Sequence, residues 1–342
     1  MTVVSIIGRS IAAVAISAVV LLLGLISLSG PHTEPQDTEP PPPPTLPPLS
    51  ALIPGGIRED KTMMLSLLSD DNIVEISMEN YLIGVVSAEM SAGFPLEALK
   101  AQAIAARTIV LYNMQVVPKL RHPDINVCTD YGCCMAYHTD ETLREIWGGD
   151  YPENITRIID AVVGTDGLYM MYRNEPMLAV FHSSSAGMTE ASENVWTAHL
   201  PYLISVPTPE TSINVPDYVT VVSVTHAEYF ETITAVYPDA VFEGEPYTYI
   251  GAITHTDSGR IQEIETGGVT IKGVELRSMF NLRSTAIAIR VTDQTIVFTV
   301  TGFGHGVGMS QYGAANMARD GILHREILRA YYKGIVFSDF TG

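Results

Sequence analysis

The chain has 342 residues, 46% of them hydrophobic, so it can bury at least one large core and is not a disordered chain. Its formal net charge of -19 leaves no general positive charge to neutralise nucleic-acid phosphates. We therefore expect no nucleic-acid partner, and the acidic balance fits a neutral, amide-rich glycan better than an anionic polymer.

The N-terminal segment Ser10–Gly30 contains no charged residue and is long enough to cross a lipid bilayer. Arg9 flanks it, which predicts that residues 1–9 are cytoplasmic and that the rest of the chain lies outside the cell membrane. A cleaved signal peptide is the alternative, because Ser27–Ser29 offers small residues, although the apolar run is longer than a usual signal. The proline-rich residues Pro31–Pro54 predict an extended spacer between this anchor and an external domain.

Residues 55–342 mix helical and strand periodicity, which predicts an α+β domain with a mixed helix and sheet core. Helices are predicted at Glu79–Met90 and Pro95–Met114, and the many alanines of the second predict a buried central helix. Short β-rich runs between turns, over 206–285, predict an inserted β-rich subdomain. The predicted strands are Tyr218–Val224, Tyr247–Thr254, Ile287–Val291 and Thr295–Thr301. The last two, with a helical region from Ser310, are expected to close the core.

The first predicted helix places Glu89 on its apolar stripe, since Val85 and Val86 lie four and three positions before it. Burial raises the pKa of a carboxyl group and lets it donate a proton to the leaving oxygen of a glycosidic bond. Position alone slightly favours another interpretation, in which Glu89 is a buried carboxylate paired with Lys100 or Arg107 of the next helix.

The segment RHPDINVCTDYGCCMAYH holds His122, Cys128 and Cys134 at equal spacing, with Cys133 and His138 nearby. Thiolates and imidazoles are usual zinc ligands, so the segment favours a metal site. A disulfide is the main alternative outside the membrane, although three cysteines leave one unpaired, and free thiols are the third interpretation.

The segment TGFGHGVGMSQYGA alternates glycines around His305, which leaves the imidazole unobstructed for a ligand. Ser310 is a predicted helix N-cap, and Gln311 and Tyr312 follow it. The run is not a dinucleotide fingerprint, because Val307 stands where GxGxxG needs glycine. A tight connection between strand and helix, with His305 packed for shape, is the alternative.

The stretch FHSSSAGMTE, at Phe181–Glu190, groups a histidine with three serines and is interpreted as the lining of a groove or as a turn. Serine hydrolase, penicillin-binding and zincin chemistry have no motif support, since GxSxG, SxxK and HExxH are all missing from the chain.

In chain order, the motifs YLIGVVSAEM and FPLEALKAQAIAART, the segment His122–Cys134, FHSSSAGMTE with the later Val195-Trp196 and Pro201-Tyr202-Leu203, IKGVELRSMFNLRS and GFGHGVGMSQYGA resemble the stage II sporulation protein D (SpoIID) family of lytic transglycosylases. The resemblance implies that Glu89, within SAEM, is the catalytic acid and base, and that zinc is held by His122, Cys128 and Cys134. Two departures are Ala186, where the family often has glycine, and the additional Cys133. The predicted substrate-binding residues are Ser184, Ser185, His305, Ser310, Gln311 and Tyr312.

The resemblance also implies an activity: cleavage of the bond between N-acetylmuramic acid and N-acetylglucosamine in peptide-stripped peptidoglycan strands, during engulfment in endospore formation. Glu89 protonates the leaving oxygen and then accepts the proton of the sugar's own C6 hydroxyl, which gives a 1,6-anhydro end. The implied partners are a SpoIIP-type amidase and a SpoIIM-type membrane protein, and the implied location is the engulfing membrane of the mother cell. A non-catalytic glycan-binding or scaffold component of the engulfment complex is the alternative.

Overall fold

The computed structural model of the chain describes residues 63–69, 72–116, 124–196 and 198–339. The predicted cytoplasmic tail, membrane anchor and proline-rich spacer lie outside these residues, as does His122. All described residues belong to one compact unit. None of the helices among them is both long and apolar enough to cross a membrane.

The described residues fold into helices packed against several small sheets, so the predicted mixture of helix and strand is confirmed. The helices are α1 (Met78–Glu89), α2 (Leu96–Gln115), α3 (Asp140–Trp147), α4 (Tyr151–Val163), α5 (His226–Val236), α6 (Gly273–Met279), α7 (Gln311–Arg319) and α8 (His324–Tyr331). The strands are β1 (Met64–Ser69), β2 (Asn72–Ser77), β3 (Val127–Cys128), β4 (Tyr169–Tyr172), β5 (Glu175–Pro176), β6 (Phe181–His182), β7 (Val219–Thr225), β8 (Ile250–His255), β9 (Ile261–Thr266), β10 (Val269–Lys272), β11 (Ile287–Val291), β12 (Thr295–Thr301), β13 (Met309–Ser310) and β14 (Val336–Ser338).

The larger hydrophobic core surrounds α2, which contacts α1, α4, α7 and α8. Its small side chains, among them Ala101, Ala103 and Ala105, are fully buried and let these helices approach closely. The prediction of a buried, alanine-rich central helix is therefore confirmed. The helix begins one residue later than predicted, because Pro95 occupies the N-cap position.

The hairpin of β1 and β2 leads directly into α1. The Ser77 hydroxyl caps α1 by accepting a hydrogen bond from the Asn80 N–H at 3.2 Å. β3 pairs in parallel with β1, which places Cys128 beside Leu68. This arrangement positions Glu89 at the C-terminal end of α1, with the cysteine-rich segment close to that helix.

A second hydrophobic cluster contains buried residues between Tyr229 and Val300. It joins the sheet β11-β12-β7 and the sheet β10-β9-β8 to α5 and α6. The prediction that β11 and β12 close the main core is wrong, because both strands pair within this second cluster. Alternate residues of β12, such as Ile296 and Phe298, are buried, so only one face of this strand packs against a core. This pattern is expected for a sheet that covers its own small core on one side.

Candidate active site

A cavity of about 370 Å³ opens beside the C-terminal end of α1. Its lining includes Glu89, Cys134 and His305, three residues singled out in separate segments of the sequence. The pairing of β6 with β13 explains how His305 reaches this place, because it fixes the glycine-rich segment against the serine-rich stretch. The structure thus brings the predicted catalytic residue, one predicted metal ligand and one predicted substrate-binding residue together.

Glu89 is half-buried, and its Oε1 accepts a hydrogen bond from the Ala136 N–H at 2.9 Å. Burial raises the pKa of the Glu89 carboxyl above its ordinary value, and it outweighs the opposing effects of the Ala136 N–H and the Gln311 side chain. Among the described residues that line the cavity, Glu89 is the sole carboxylate. A carboxyl in this setting can hold a proton closer to neutral pH than an exposed one.

The alternative interpretation of Glu89, an ion pair with Lys100 or Arg107, is wrong. The Lys100 ammonium donates to Glu97 Oε1 at 2.7 Å. Arg107 is fully buried, donates to two backbone carbonyls and interacts electrostatically with Glu79. Both cations are therefore engaged elsewhere in the described part of the chain, which leaves the placement of Glu89 in the cavity without a structural ion pair to explain it.

His305 is held in its neutral form. Its Nδ1 accepts a hydrogen bond from the Val307 N–H at 3.1 Å, which assigns the ring proton to Nε2. Burial, together with the positive charges of Arg277 and Arg260, lowers the pKa of His305 to about 4. The indole of Trp196, 37% exposed, lies 5.1 Å from the imidazole between ring centroids, so an aromatic surface adjoins His305.

Gln311 and Tyr312 have different surroundings. The Gln311 side chain is buried next to Glu89. Tyr312 lines a separate cleft of about 800 Å³, together with Phe94, whose ring meets it edge to face at 5.0 Å between centroids. Ser91, two residues beyond Glu89, also lines this cleft, so the cleft begins close to the C-terminal end of α1.

The predicted substrate-binding serines Ser184, Ser185 and Ser310 are buried, so their hydroxyls do not face the cavity. The Ser185 Oγ forms a 2.6 Å hydrogen bond with His182 Nε2, and its N–H donates to Glu210 Oε1 at 2.8 Å. Ser310 is the N-cap of α7, as predicted, and its hydroxyl donates to the Glu210 carboxylate. Burial therefore contradicts direct substrate contact by these hydroxyls, and those of Ser185 and Ser310 bond His182 and Glu210 instead.

Glu210 was not identified from the sequence, and neither was Arg260. Arg260 directly precedes β9, a strand of the second hydrophobic cluster, is 1% exposed and donates to the Met188 carbonyl at 2.8 Å. Gly306 has a left-handed φ of +85°, and a Cβ there would lie 2.8 Å from the Arg260 guanidinium. The glycine thus allows a buried arginine to pack under the loop that carries His305. The alternating glycines were the signal for a close approach, but nothing in the sequence named the approaching group.

The three cysteine sulfurs form a cluster near Glu89. The Sγ atoms of Cys128, Cys133 and Cys134 all lie within 4.8 Å of one another, and Cys128 Sγ is 3.1 Å from Cys134 Sγ. No disulfide joins these cysteines, all of which are among the described residues. Sulfur atoms bound to one tetrahedral zinc ion lie about 3.8 Å apart, given zinc–sulfur bonds of about 2.3 Å, so the donor set fits zinc.

A model of the stage II sporulation protein (SpoIID) family matches residues 69–172. The chain is 35% identical over 272 residues to stage II sporulation protein D of Bacillus subtilis (strain 168), an alignment that covers 79% of this chain and 77% of that protein. The identity and the coverage are the same for stage II sporulation protein D of Bacillus amyloliquefaciens. An amidase enhancer of Bacillus subtilis (strain 168) is 26% identical over 307 residues, which cover 76% of this chain and 40% of the enhancer.

Proposed function

Because the chain belongs to the stage II sporulation protein D family, we propose that it is a lytic transglycosylase that cleaves peptidoglycan glycan strands during engulfment in endospore formation. One observation carries the proposal: Glu89, with its raised pKa, faces a cavity with no second carboxylate in its described lining. Glycosidases with two catalytic carboxylates place them roughly 5 to 10 Å apart across the scissile bond. A single carboxylate suits a reaction in which the substrate supplies its own nucleophile.

In the proposed reaction, the Glu89 carboxyl donates its proton to the glycosidic oxygen that leaves C1 of N-acetylmuramic acid. The C6 hydroxyl of the same sugar then attacks C1 and transfers its proton to the Glu89 carboxylate. A 1,6-anhydro end forms, no water is consumed, and Glu89 returns to its protonated state. An intramolecular hydroxyl has a high effective concentration, which removes the need for a second group to hold a water.

One hydrogen bond supports this role by holding the carboxylate in place. The Ala136 N–H holds Oε1 at 2.9 Å, and the buried Gln311 amide lies beside the same group. His305 is not a competing general acid near neutral pH, because a pKa of about 4 leaves its imidazole uncharged. We propose that the His305 imidazole and the adjacent Trp196 indole contact the sugar rings, with Glu89 as the one proton-transfer group.

We propose that a longer strand continues from the Glu89 cavity into the cleft that Tyr312 lines. Gln311 and Tyr312 are adjacent in α7, and Gln311 is at Glu89 while Tyr312 is in the cleft. Phe94 and Ser91 reach the same cleft from the loop that follows Glu89. A mixed aromatic and polar lining suits saccharide rings, which present both apolar faces and hydroxyl edges.

We also propose that zinc is bound by Cys128 and Cys134, with His122 as the further ligand that the family resemblance implies. When bound, the ion supplies a charged cross-link within the cysteine-rich segment, and no step of the cleavage uses it. Further proposals are a single-pass anchor at Ser10–Gly30 with the catalytic domain outside the cell, and cooperation with a SpoIIP-type amidase and a SpoIIM-type membrane protein. An amidase enhancer among the relatives supports a link to amidase action.

The deciding experiment compares wild-type chain with Glu89→Gln on peptide-stripped glycan strands, with products measured by mass spectrometry. We expect 1,6-anhydro ends from the wild type and none from the variant. Glu145→Gln, a change of an exposed glutamate on α3, is the matched control and should cleave normally. Normal release of anhydro products by Glu89→Gln would exclude Glu89 as the acid, and binding without cleavage by the wild type would favour the non-catalytic alternative.

A further inference from the structure

Cys133 is the thiol that neither the family pattern nor the proposed reaction uses. Its Sγ lies within 4.8 Å of the Sγ atoms of both Cys128 and Cys134. The backbone fixes this proximity, because the N–H groups of Cys133 and Cys134 both donate to the Asp130 carbonyl, at 3.0 and 2.8 Å. The resulting turn folds both cysteines back towards Cys128 in β3.

We propose that Cys133 is a third thiolate ligand, so that Cys128, Cys133 and Cys134 bind one zinc ion. In tetrahedral geometry the sulfurs lie about 3.8 Å apart. The Cys128–Cys134 pair, at 3.1 Å, must open by roughly 0.7 Å, and the widest pair, at most 4.8 Å, must close by about 1 Å. Adjustments of this size need only side-chain rotation.

A further contact favours metal-bound thiolates over a disulfide. The Cys128 N–H donates to Cys134 Sγ at 3.0 Å. A hydrogen bond of this kind stabilises a negatively charged sulfur more than a neutral one. In a disulfide between Cys128 and Cys134, the Cys134 sulfur would carry no negative charge for this N–H to stabilise. The half-exposed Cys133 would then have no partner for its thiol.

Three thiolates give the site a structural character. Their negative charge exceeds the double positive charge of zinc, which makes the ion a weak Lewis acid, and sulfur-rich zinc sites serve mainly to hold a fold. The ion would link β3 to the turn that leads into Ala136, whose N–H binds Glu89. This inference rests on the proposed zinc binding and not on the proposed cleavage of glycans.

The test uses purified full-length chain, loaded with zinc and treated with N-ethylmaleimide, and counts modified cysteines by mass spectrometry. We expect none of the three cysteines to be modified in the zinc form and all three after chelation by EDTA. Because Cys133 is half-exposed, a thiol there that is not a ligand would react in both forms. Modification of Cys133 alone in the zinc form would overturn the inference, and this experiment needs no variant.

A second measurement compares Cys133→Ser with Cys128→Ser, using zinc competition with a chromophoric chelator and the sulfur-to-metal absorption of the cobalt form. We expect Cys133→Ser to lower zinc affinity more than tenfold and to weaken the cobalt band. Wild-type affinity in Cys133→Ser, with zinc lost in Cys128→Ser, would reduce the site to two thiols and overturn the inference. Wild-type protein with no zinc and one titratable thiol would show a disulfide, which overturns zinc binding and leaves the cleavage proposal unaffected.

Discussion

Replacing Gly84 by alanine sets two physical effects against each other in α1. Alanine is favoured over glycine in a helix by about 1 kcal/mol. However, a Cβ at Gly84 would lie 2.3 Å from the Tyr137 ring and 2.7 Å from the His138 carbonyl oxygen. Ordinary contact begins at 3.4 Å, so the His138 backbone must move by 0.7 Å, the difference between 3.4 and 2.7 Å. Overpacking of this kind costs about 1 to 3 kcal/mol, and we expect net destabilisation of up to about 2 kcal/mol.

The displaced segment includes Ala136, whose N–H holds Glu89 at 2.9 Å. If Glu89 is the catalytic group, a shift approaching 1 Å should lower the release of anhydro ends by roughly 10- to 100-fold. Thermal unfolding and product release from stripped strands measure the two effects separately. Gly149→Ala is the control, since its Cβ would meet no heavy atom within 4 Å. A Gly84→Ala protein that is stabilised by the full helix propensity and cleaves normally would refute this account of the α1 contact.

Three further outcomes test the site. Gly306→Ala combines left-handed backbone strain with the Arg260 contact and should lower the free energy of unfolding by about 3 kcal/mol. Gly259→Ala, at φ +80° with open space around its Cβ, measures the backbone strain alone and should lower it by about 1 to 2 kcal/mol. Equal decreases for the two variants in urea unfolding would disprove the Arg260 contact. Because folding raises the pKa of Glu89, its ionisation destabilises the folded state above the folded pKa and has no effect below the unfolded pKa. Glu89→Gln should therefore unfold at a higher urea concentration than the wild type at pH 7 and lose this advantage near pH 4. An advantage independent of pH would contradict burial as the cause of the raised pKa. The pKa of His305 is lowered to about 4, so stability should fall as pH drops from 6.5 towards 4, and NMR titration of His305 near 6.5 would show that the ring is not buried as described.

Features that depend on local periodicity could be predicted from the sequence. The bounds of α1 and α2 agree with the predicted helices to within one residue, because apolar spacing and the proline before α2 act over a few positions. The same helical spacing predicted that Glu89 lies on the apolar stripe of α1, whereas its assignment as the catalytic residue came from the family resemblance. The resemblance to stage II sporulation protein D, drawn from a series of short motifs in order along the chain, is confirmed by 35% identity over most of the chain.

Contacts between distant segments could not be predicted. The hydrogen bond from Ala136 to Glu89 joins residues 47 positions apart, and no periodic pattern encodes it. The burial of Ser185 could not be predicted for the same reason, since Ser185 meets His182 and Glu210 only after β6 has paired with β13. Polar composition indicates that hydrogen bonds are needed, but it does not indicate whether a substrate or a buried carboxylate provides them.

Arg260 connects the second hydrophobic cluster to the loops beside the Glu89 cavity. Its guanidinium donates to Ser258 Oγ at 3.0 Å, and that hydroxyl donates to Glu190 Oε2 at 2.7 Å, so a charge from the second cluster is linked to a carboxylate beside the cavity loops. Burying a guanidinium and a carboxylate costs folding free energy unless both groups have hydrogen-bond partners. Gly306 provides the space that this arrangement requires. The second cluster therefore acts as a support for the loop that carries His305. It follows that a change at Arg260 should alter the Glu89 cavity as well as the stability of the strands that adjoin the residue.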